Sequence, residues 1–228
     1  MDIQRFLSQV SIWLIPGVIA ITLHEAAHGF VASRLGDDTA LRAGRVTFNP
    51  LRHVDPFGTL VLPGLLLLGG APFLFGWAKP VPVNFFRLRD PKRDMVWVAA
   101  AGPGINLLIA YVSALLIYTV AWVPAFVGRW WAANLVNSIE INLVLAIFNM
   151  IPLPPLDGGR VAVGLLPRPL ALPLARLERF GLLILILVLF LVPFAAAQAG
   201  YNFNPIAWLL QPMLNVLAGA IATLAGLR

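Results

Sequence analysis

The chain has 228 residues, of which 60% are hydrophobic and only 11% are charged. Soluble domains carry about 25% charged residues, so the composition excludes a soluble globular protein and indicates an integral membrane protein of one domain. The net charge of +6 comes from short loops between apolar runs, which favours cytoplasmic membrane loops over a nucleic-acid-binding surface. Because the chain has no cysteine, disulfides and thiolate metal ligands are excluded.

The first predicted element is an apolar helix from about Phe6 to Ser33. A helix needs about 20 mostly apolar residues to cross a hydrocarbon core of about 30 Å, and this run is long enough. Arg5 ahead of it resembles the start of a signal peptide, but no convincing small-residue cleavage site follows, so we expect the segment to be retained. The second half of the helix contains His24-Glu25-Ala26-Ala27-His28, the most informative feature of the sequence.

The spacing of the two histidines predicts a metal site. Histidines four residues apart project from one face of a helix and can share a zinc ion. Glu25, between His24 and His28, is then placed to act as general base on a zinc-bound water. Ionisable side chains within a membrane helix are costly and usually functional. The alternative is a pair of packed histidines beside a glutamate that is paired with a distant arginine.

The region after the first helix predicts loops with short extended pieces. Residues 34–56 are polar, and the letters ALRAGRVTFNP within them predict strand-like segments. Residues 57–77 are apolar but interrupted by prolines and glycines, which predicts a broken or re-entrant segment, with a spanning helix as the alternative. Residues 79–86 are expected to be extended, because each proline drives its predecessor toward β or polyproline geometry. The basic cluster that ends at Arg93 predicts a cytoplasmic loop.

Four more apolar runs complete the predicted membrane domain, at about 95–123, 131–151, 180–197 and 205–227. We predict an all-α polytopic membrane protein with five to six transmembrane helices, a broken or re-entrant segment, and short β-strands in the cytoplasmic-side loops. The chain 1–228 is expected to form one membrane-embedded domain, with a motif-bearing core at about 8–165 and C-terminal helices at about 180–227. The basic loops predict that the N-terminus lies outside and the C-terminus inside.

A catalytic zinc site needs three protein ligands and an open position for water. Besides acids in the loops, the candidates for the third ligand are Asp157, Glu140 and Asp55. Asp157 follows three prolines and precedes two glycines, so it can point inward from an unwound segment. The alternative is an ordinary Pro/Gly turn with a solvated aspartate. The remaining histidine, His53, is predicted to be solvated or to tether its loop, without a metal role.

Four motifs of the sequence together resemble the site-2 protease family of intramembrane zinc metalloproteases. The first is the His-Glu-His motif, and the second is the segment NMIPLPPLDGG that begins at Asn149. The segment AGPGIN at 101–106 resembles the family's A-G-P-x-x-N segment, and NPLRHVDPFGT at 49–59 resembles the linker of compact bacterial members. The resemblance covers about residues 20–165, and the last two helices carry no such motif.

The resemblance implies a role for each polar residue in these motifs. It implies one zinc ion per chain, bound by three side chains: His24, His28 and Asp157. Glu25 would be the catalytic base, and Asn149 matches a family asparagine that holds the substrate or the oxyanion. The alternative for Asn149 is that it satisfies carbonyls freed by the nearby prolines. Asn106 is expected to stabilise helix packing near the metal.

The function implied is hydrolysis of a peptide bond in or near a transmembrane segment. The expected partners are the lipid bilayer and a single-span membrane protein substrate, and the expected location is a bacterial inner (plasma) membrane; nucleic acid is not expected. Two alternatives stay open: a metal-ion transporter that uses the same ligands, and an inactive family member that binds membrane proteins. A transporter would be expected to show repeated halves, which this sequence lacks. The sequence does not predict the oligomeric state.

Overall fold

The computed structural model describes residues 3–62, 64–65, 76–201 and 203–227. The helices in chain order are α1 (Ile3–Arg34), α2 (Thr39–Arg42), α3 (Pro91–Leu116), α4 (Ala125–Asn149), α5 (Asp157–Leu165), α6 (Arg168–Arg176), α7 (Glu178–Ile186), α8 (Val192–Gln198) and α9 (Pro205–Leu224). Among the residues described, five helical segments are long and apolar enough to cross a membrane, as predicted: Leu7–Arg34, Pro91–Trp122, Ala125–Asn149, Glu178–Gln198 and Pro205–Leu224. The protein is therefore an integral membrane protein.

The core of the fold consists of α1, α3 and α4, which pack against one another. Small side chains lie at these interfaces, and Ala20 of α1 and Ala110 of α3 are completely buried. Small residues allow close approach between helices in a membrane, where packing rather than the hydrophobic effect drives association. The short helix α5 packs across α3, and α9 covers the outer side of α3 and α4. This arrangement brings the second half of α1 close to the start of α5.

The predicted short β-strands are wrong, because no strand occurs among the described residues of these loops. Within ALRAGRVTFNP, the first residues form α2 instead. In the proline-containing segment after residue 78, the prolines offer no N–H to a neighbouring strand. The backbone N–H of Val81 donates to the Glu25 carboxylate at 2.7 Å, and that of Asn84 donates to Asp37 at 2.6 Å. Side-chain carboxylates thus accept the backbone N–H groups that would otherwise pair with a neighbouring strand.

The predicted broken or re-entrant segment, residues 57–77, is described only at its two ends. It begins with a π-helical turn, Pro56–Val61, which Asp55 caps. The Asp55 carboxylate accepts from the backbone N–H groups of Phe57 at 3.1 Å and Gly58 at 2.6 Å. Residue 63 and residues 66–75 lie outside the described residues, so whether the segment spans or re-enters stays a prediction.

Candidate metal centre

Three potential metal ligands converge between α1 and α5. His24 and His28 lie one turn apart on α1, and Asp157 is the first residue of α5. The two histidine Nε2 atoms are 3.1 Å apart, and Asp157 Oδ2 lies 3.2 Å from His24 Nε2 and 3.4 Å from His28 Nε2. The side chains of all three residues are at most 12% exposed. Within the described part of the chain, this is the group of acids and histidines that can hold a metal ion.

The geometry of the three ligand atoms fits one zinc ion. Zinc binds histidine nitrogen and carboxylate oxygen at about 2.0–2.2 Å in a tetrahedral arrangement, which separates neighbouring ligand atoms by roughly 3.3 Å. The observed separations of 3.1, 3.2 and 3.4 Å agree with that value. Two imidazoles and a carboxylate also match the ligand set of catalytic zinc sites, which keep a fourth position for water.

Gly102 of α3 leaves the space beside the two histidine rings open. A Cβ atom at this position would lie 2.5 Å from His24 Cε1 and from His28 Nε2, and 2.6 Å from His24 Nε2. Side-chain carbons do not approach other atoms so closely. Any other residue at position 102 would therefore fill the space next to the ligand nitrogens, and glycine allows α3 to pack directly against the histidine face of α1.

The compact loop between α4 and α5 places Asp157. The two residues that follow, Gly158 and Gly159, lie directly against the loop backbone. A Cβ at Gly158 would collide with the Met150 carbonyl, and a Cβ at Gly159 would collide with the backbone of Leu153 and Pro154. Only glycines allow the chain to fold back this tightly, which turns the start of α5 toward α1. Asp157 is consequently buried, with 7% of its surface exposed, and not solvated.

The environment of Asp157 keeps its carboxylate ionised. Burial acts to raise the pKa of Asp157, but when the rings of His24 and His28 are protonated, their hydrogen bonds and positive charge together outweigh burial and hold the pKa well below its ordinary value. An ionised carboxylate is the form that coordinates metal ions. The side chain is therefore ready to act as a ligand at neutral pH.

The other candidate ligands lie elsewhere. Glu140 is on the exposed surface of α4, and Asp55 uses its carboxylate to cap the turn that follows it. His53 is buried, and its Nε2 lies 3.2 Å from the Thr47 carbonyl oxygen. His53 therefore tethers its loop, which is one of the two roles that the sequence predicts.

Both histidines are held through their second ring nitrogen. His28 Nδ1 lies 2.7 Å from the Val98 carbonyl oxygen, and His24 Nδ1 lies 2.6 Å from Asn106 Oδ1. Such partners orient a metal-binding histidine and fix the position of its proton. The sequence predicts Asn106 near the metal but not this contact, because nothing in the spacing along the chain pairs Asn106 with one particular histidine.

Glu25 and Asn149, the two residues predicted to be catalytic, have different surroundings. Glu25 is half-buried, and its Oε2 accepts the hydrogen bond from the Val81 N–H. Asn149 is the last residue of α4, and its side-chain amide donates to the Leu145 carbonyl at 3.0 Å. No contact described here joins Asn149 to the three ligand side chains, so its catalytic role stays a prediction. Nothing in the sequence indicates the contact between Glu25 and Val81.

The chain is similar over most of its length to proteins that are named as zinc metalloproteases. It is 37% identical over 206 residues to "Putative zinc metalloprotease YwhC" of Bacillus subtilis, which covers 87% of this chain and 83% of that protein. It is 31% identical over 222 residues to "Putative zinc metalloprotease Rip2" of Mycobacterium tuberculosis, which covers 96% and 80%. No protein-family model matches the chain. No solved structure matches it either.

These similarities agree with the site. The similar regions extend over most of both chains in the Bacillus and Mycobacterium proteins. The group of two histidines and one aspartate supplies what a zinc metalloprotease needs to hold its ion. The chain belongs to the site-2 protease-type family of zinc metalloproteases.

Proposed function

We propose that this protein hydrolyses a peptide bond in or near the transmembrane segment of a single-span membrane protein. One observation carries the proposal: both histidines of the zinc-binding group and Glu25 lie on α1, a helix that is itself long and apolar enough to cross the membrane. A peptide bond that reaches this group must therefore come from within the bilayer or from its border. In this proposal the zinc ligands are His24, His28 and Asp157.

Glu25 acts as general base and then as general acid. Zinc, when bound, supplies Lewis acidity that polarises the attacking water and the scissile carbonyl. Glu25 takes a proton from the water as the water oxygen bonds to the carbonyl carbon, and it returns that proton to the amide nitrogen as the C–N bond breaks. The Val81 N–H occupies Oε2 of the carboxylate, so we assign the proton transfers to Oε1.

Asn149 is proposed to stabilise the oxyanion. A carboxamide has two N–H donors, so one can stay on the Leu145 carbonyl while the other donates to the developing negative oxygen. Removal of one such donor typically lowers kcat by about 10²–10³-fold. Asn149→Leu is therefore expected to lose cleavage to that extent while zinc content stays at about one ion per chain. Unchanged cleavage would indicate that Asn149 has no part in catalysis and serves only to bond the Leu145 carbonyl of its own helix.

The substrate is proposed to bind as an extended chain beside Glu25. A helical substrate holds its carbonyls in backbone hydrogen bonds, so it must unwind before attack. Residues 76–84 have no regular secondary structure and include Val81, which contacts Glu25. Arg45 holds this segment in place, because its guanidinium donates to the Lys79 carbonyl at 2.6 Å. This fixed segment next to the base is proposed to line the site in which the unwound substrate binds.

The test of the proposal is Glu25→Gln in the full-length protein purified in detergent. Glutamine has a similar volume and all three ligands remain, so the variant is expected to keep about one zinc ion per chain. Cleavage of single-span membrane proteins should fall by about 10²–10⁴-fold, because an amide cannot accept and return the proton. Glu178→Gln is the matched control, since Glu178 is exposed and pairs with Arg160 at 3.3 Å. It should cleave like the wild type.

Other results would change the assignment in defined ways. Near-normal cleavage by Glu25→Gln would remove the role of base from Glu25. Wild-type cleavage that survives complete removal of zinc by a chelator would separate the reaction from the metal. Wild-type protein that moves zinc across liposome membranes and cleaves no substrate would replace the protease with a transporter. Wild-type protein that captures single-span proteins but neither cleaves them nor transports zinc would be an inactive family member.

The basic loops also support a proposed orientation in the plasma membrane, with the N-terminus outside and the C-terminus inside. Because the native chain has no cysteine, single cysteines can be introduced at three exposed basic positions: Arg52, Arg89 and Arg176. All three should react with a membrane-impermeant thiol reagent from the cytoplasmic side only. Reaction of position 52 from outside would indicate that the segment 57–77 spans the membrane and that the orientation of α1 is reversed.

A further inference from the structure

A chain of buried amide side chains extends from His24 into the interface between α3 and α4. Asn106 Oδ1 lies 2.6 Å from His24 Nδ1, and Asn106 Nδ2 lies 2.7 Å from Asn142 Oδ1. Asn142 Nδ2 in turn lies 2.8 Å from the backbone carbonyl oxygen of Ser138. Both asparagines are completely buried. Asn142 belongs to none of the sequence motifs. It lies on α4, which carries none of the three zinc ligands.

The hydrogen bonds that join these side chains can have only one consistent donor-to-acceptor direction. The Ser138 carbonyl can only accept, so Asn142 turns its NH₂ group toward Ser138 and its oxygen toward Asn106. Asn106 then donates to Asn142, and also to the Ala20 carbonyl at 3.4 Å, which leaves the Asn106 oxygen facing His24. The His24 ring must carry its proton on Nδ1 to donate to that oxygen. The lone pair of Nε2 is then free for the metal.

We propose that Asn142 is a positioning residue for the zinc site. Its short bond, supported by the longer bond to the Ala20 carbonyl, sets the orientation of the Asn106 amide and, through Asn106, the position of the proton on His24. This inference rests on the proposed role of His24 as a zinc ligand and adds a residue on which that role depends. If Asn106 turned its amide around, its NH₂ group would face Nδ1, and the His24 proton would move to Nε2, where it would block the metal.

The second histidine does not need such a relay. His28 Nδ1 lies 2.7 Å from the Val98 carbonyl oxygen, which only accepts, so a backbone atom fixes the His28 proton directly. His24 instead depends on an amide that can in principle be turned by 180°. In the membrane interior no bulk water replaces a lost partner, so the orientation of Asn106 depends on its protein neighbours. Disturbing Asn142 should therefore affect His24 and leave His28 unchanged.

The experiment compares zinc affinities of the full-length protein in detergent, measured by competition with a chromophoric chelator. Asn142→Leu has a similar volume but offers Asn106 no acceptor, and it should weaken zinc binding about tenfold, the lower end of the range for outer partners of metal ligands. Asn142→Asp should restore most of the affinity. A carboxyl group, whether protonated or not, still presents an oxygen to Asn106.

Asn137→Leu is the matched control. Asn137 is also buried in α4, and its side chain donates to the Ile12 carbonyl of α1 at 2.8 Å. The variant therefore loses an equivalent buried bond between helices that has no link to a zinc ligand. It should lower thermal stability to a similar degree as Asn142→Leu and leave zinc affinity unchanged.

A second measurement reports on the proton itself. Nitrogen-15 spectra of the zinc-free protein at alkaline pH distinguish the two forms of each neutral histidine ring. In Asn142→Leu the His24 signals should shift from the Nδ1–H form toward a mixture, while those of His28 stay in the Nδ1–H form. If Asn142→Leu does not fold, Asn142→Ala supplies the same comparison.

Wild-type zinc affinity in Asn142→Leu, or an equal loss in Asn137→Leu, would overturn the inference. So would unchanged His24 nitrogen signals in a variant with weakened binding, because packing alone would then explain the loss. Neither measurement requires cleavage of any substrate. A failure of the proposed protease activity therefore appears in the Glu25→Gln experiment, whereas a failure of the Asn142 relay appears only in zinc affinity and histidine spectra.

Discussion

The spans that carry the zinc site differ from the last two spans in how deeply they are packed. In the most apolar stretch of each of the first three spans, 28% of the residues are buried in Leu7–Arg34, 22% in Pro91–Trp122 and 39% in Ala125–Asn149. The corresponding share is 11% in each of the last two spans. The first three spans bury polar side chains at their interfaces: Thr22, His24, Asn106, Ser113, Asn134, Asn137 and Asn142. In the last two spans the buried residues are Gly181, Leu185, Leu210 and Ile221.

This difference indicates a division of roles among the membrane spans. A polar group inside the bilayer must be paired, because an unsatisfied donor or acceptor there costs several kcal/mol. Pairing requires helices that approach closely and side chains that meet in one arrangement only. The first three spans meet this requirement around the zinc ligands. The last two spans expose large apolar side chains such as Phe194 and Trp208, which suits contact with lipid and places few demands on exact packing.

The largest effect is expected from removal of a zinc ligand. Asp157→Ala should lose most of the bound zinc, because two histidines alone do not form the three-ligand site that zinc enzymes use. His24→Ala and His28→Ala should lose it likewise. Zinc content is measured by elemental analysis after purification in detergent. Asp38→Ala is the control, since Asp38 pairs with Arg42 outside the site, and it should keep about one ion per chain.

Full zinc retention in Asp157→Ala would remove this residue from the site and reopen the assignment of the third ligand. The burial of Asp157 between α1 and α5 would then reflect helix packing alone.

The next largest effect is expected from filling the space beside the histidine rings. Gly102→Ala adds a Cβ that would lie 2.5 Å from His28 Nε2, so the rings must move. A displacement of about 1 Å in an active site can lower the rate about 10²-fold, and zinc affinity should fall as well. Gly104→Ala on the same helix is the control, because a Cβ there meets no atom within 4 Å. Wild-type zinc affinity and cleavage in Gly102→Ala would contradict the close packing of α3 on α1.

The sequence predicts the features of the site that depend on local spacing. Histidines at 24 and 28 share a helix face because of the helical repeat, and the prolines before Asp157 interrupt the helix because proline cannot continue it. The five apolar spans follow from their length and composition. The resemblance to the family adds the pairing of Asp157 with the two histidines, which spacing alone leaves open.

Other features depend on which side chains meet across helices, and local spacing does not reveal them. Asn106 and Asn142 are 36 positions apart in the chain but hydrogen-bond in the membrane interior. The Val81 amide reaches Glu25 across 56 positions. The predicted strands are wrong for the same reason, because carboxylates from distant positions accept the backbone N–H groups of the extended segment.

A smaller, graded effect is expected from pH. Zinc binds neutral histidine, so protons compete with the metal once the pH falls below the ordinary histidine pKa of about 6.5. The affinity should fall by at least about tenfold per pH unit below this value. Burial acts to raise the pKa of Asp157, but the two histidine rings, once protonated, hold it well below its ordinary range, so the histidines and not the aspartate set this dependence. Chelator competition at several pH values measures it, and constant affinity between pH 7.5 and pH 5.5 would argue against histidine ligands.

The smallest effect is expected from the same glycine replacement in the other region. Gly219 lies within α9, and a Cβ at this position meets no atom within 4 Å. Alanine is favoured over glycine in a helix interior by about 0.5–1 kcal/mol, so Gly219→Ala should leave thermal stability unchanged or raise it slightly. Zinc affinity and cleavage should match the wild type. A loss of either in Gly219→Ala, with the protein still folded, would mean that α9 takes part in the site, and the division between a closely packed metal region and lipid-facing spans would be wrong.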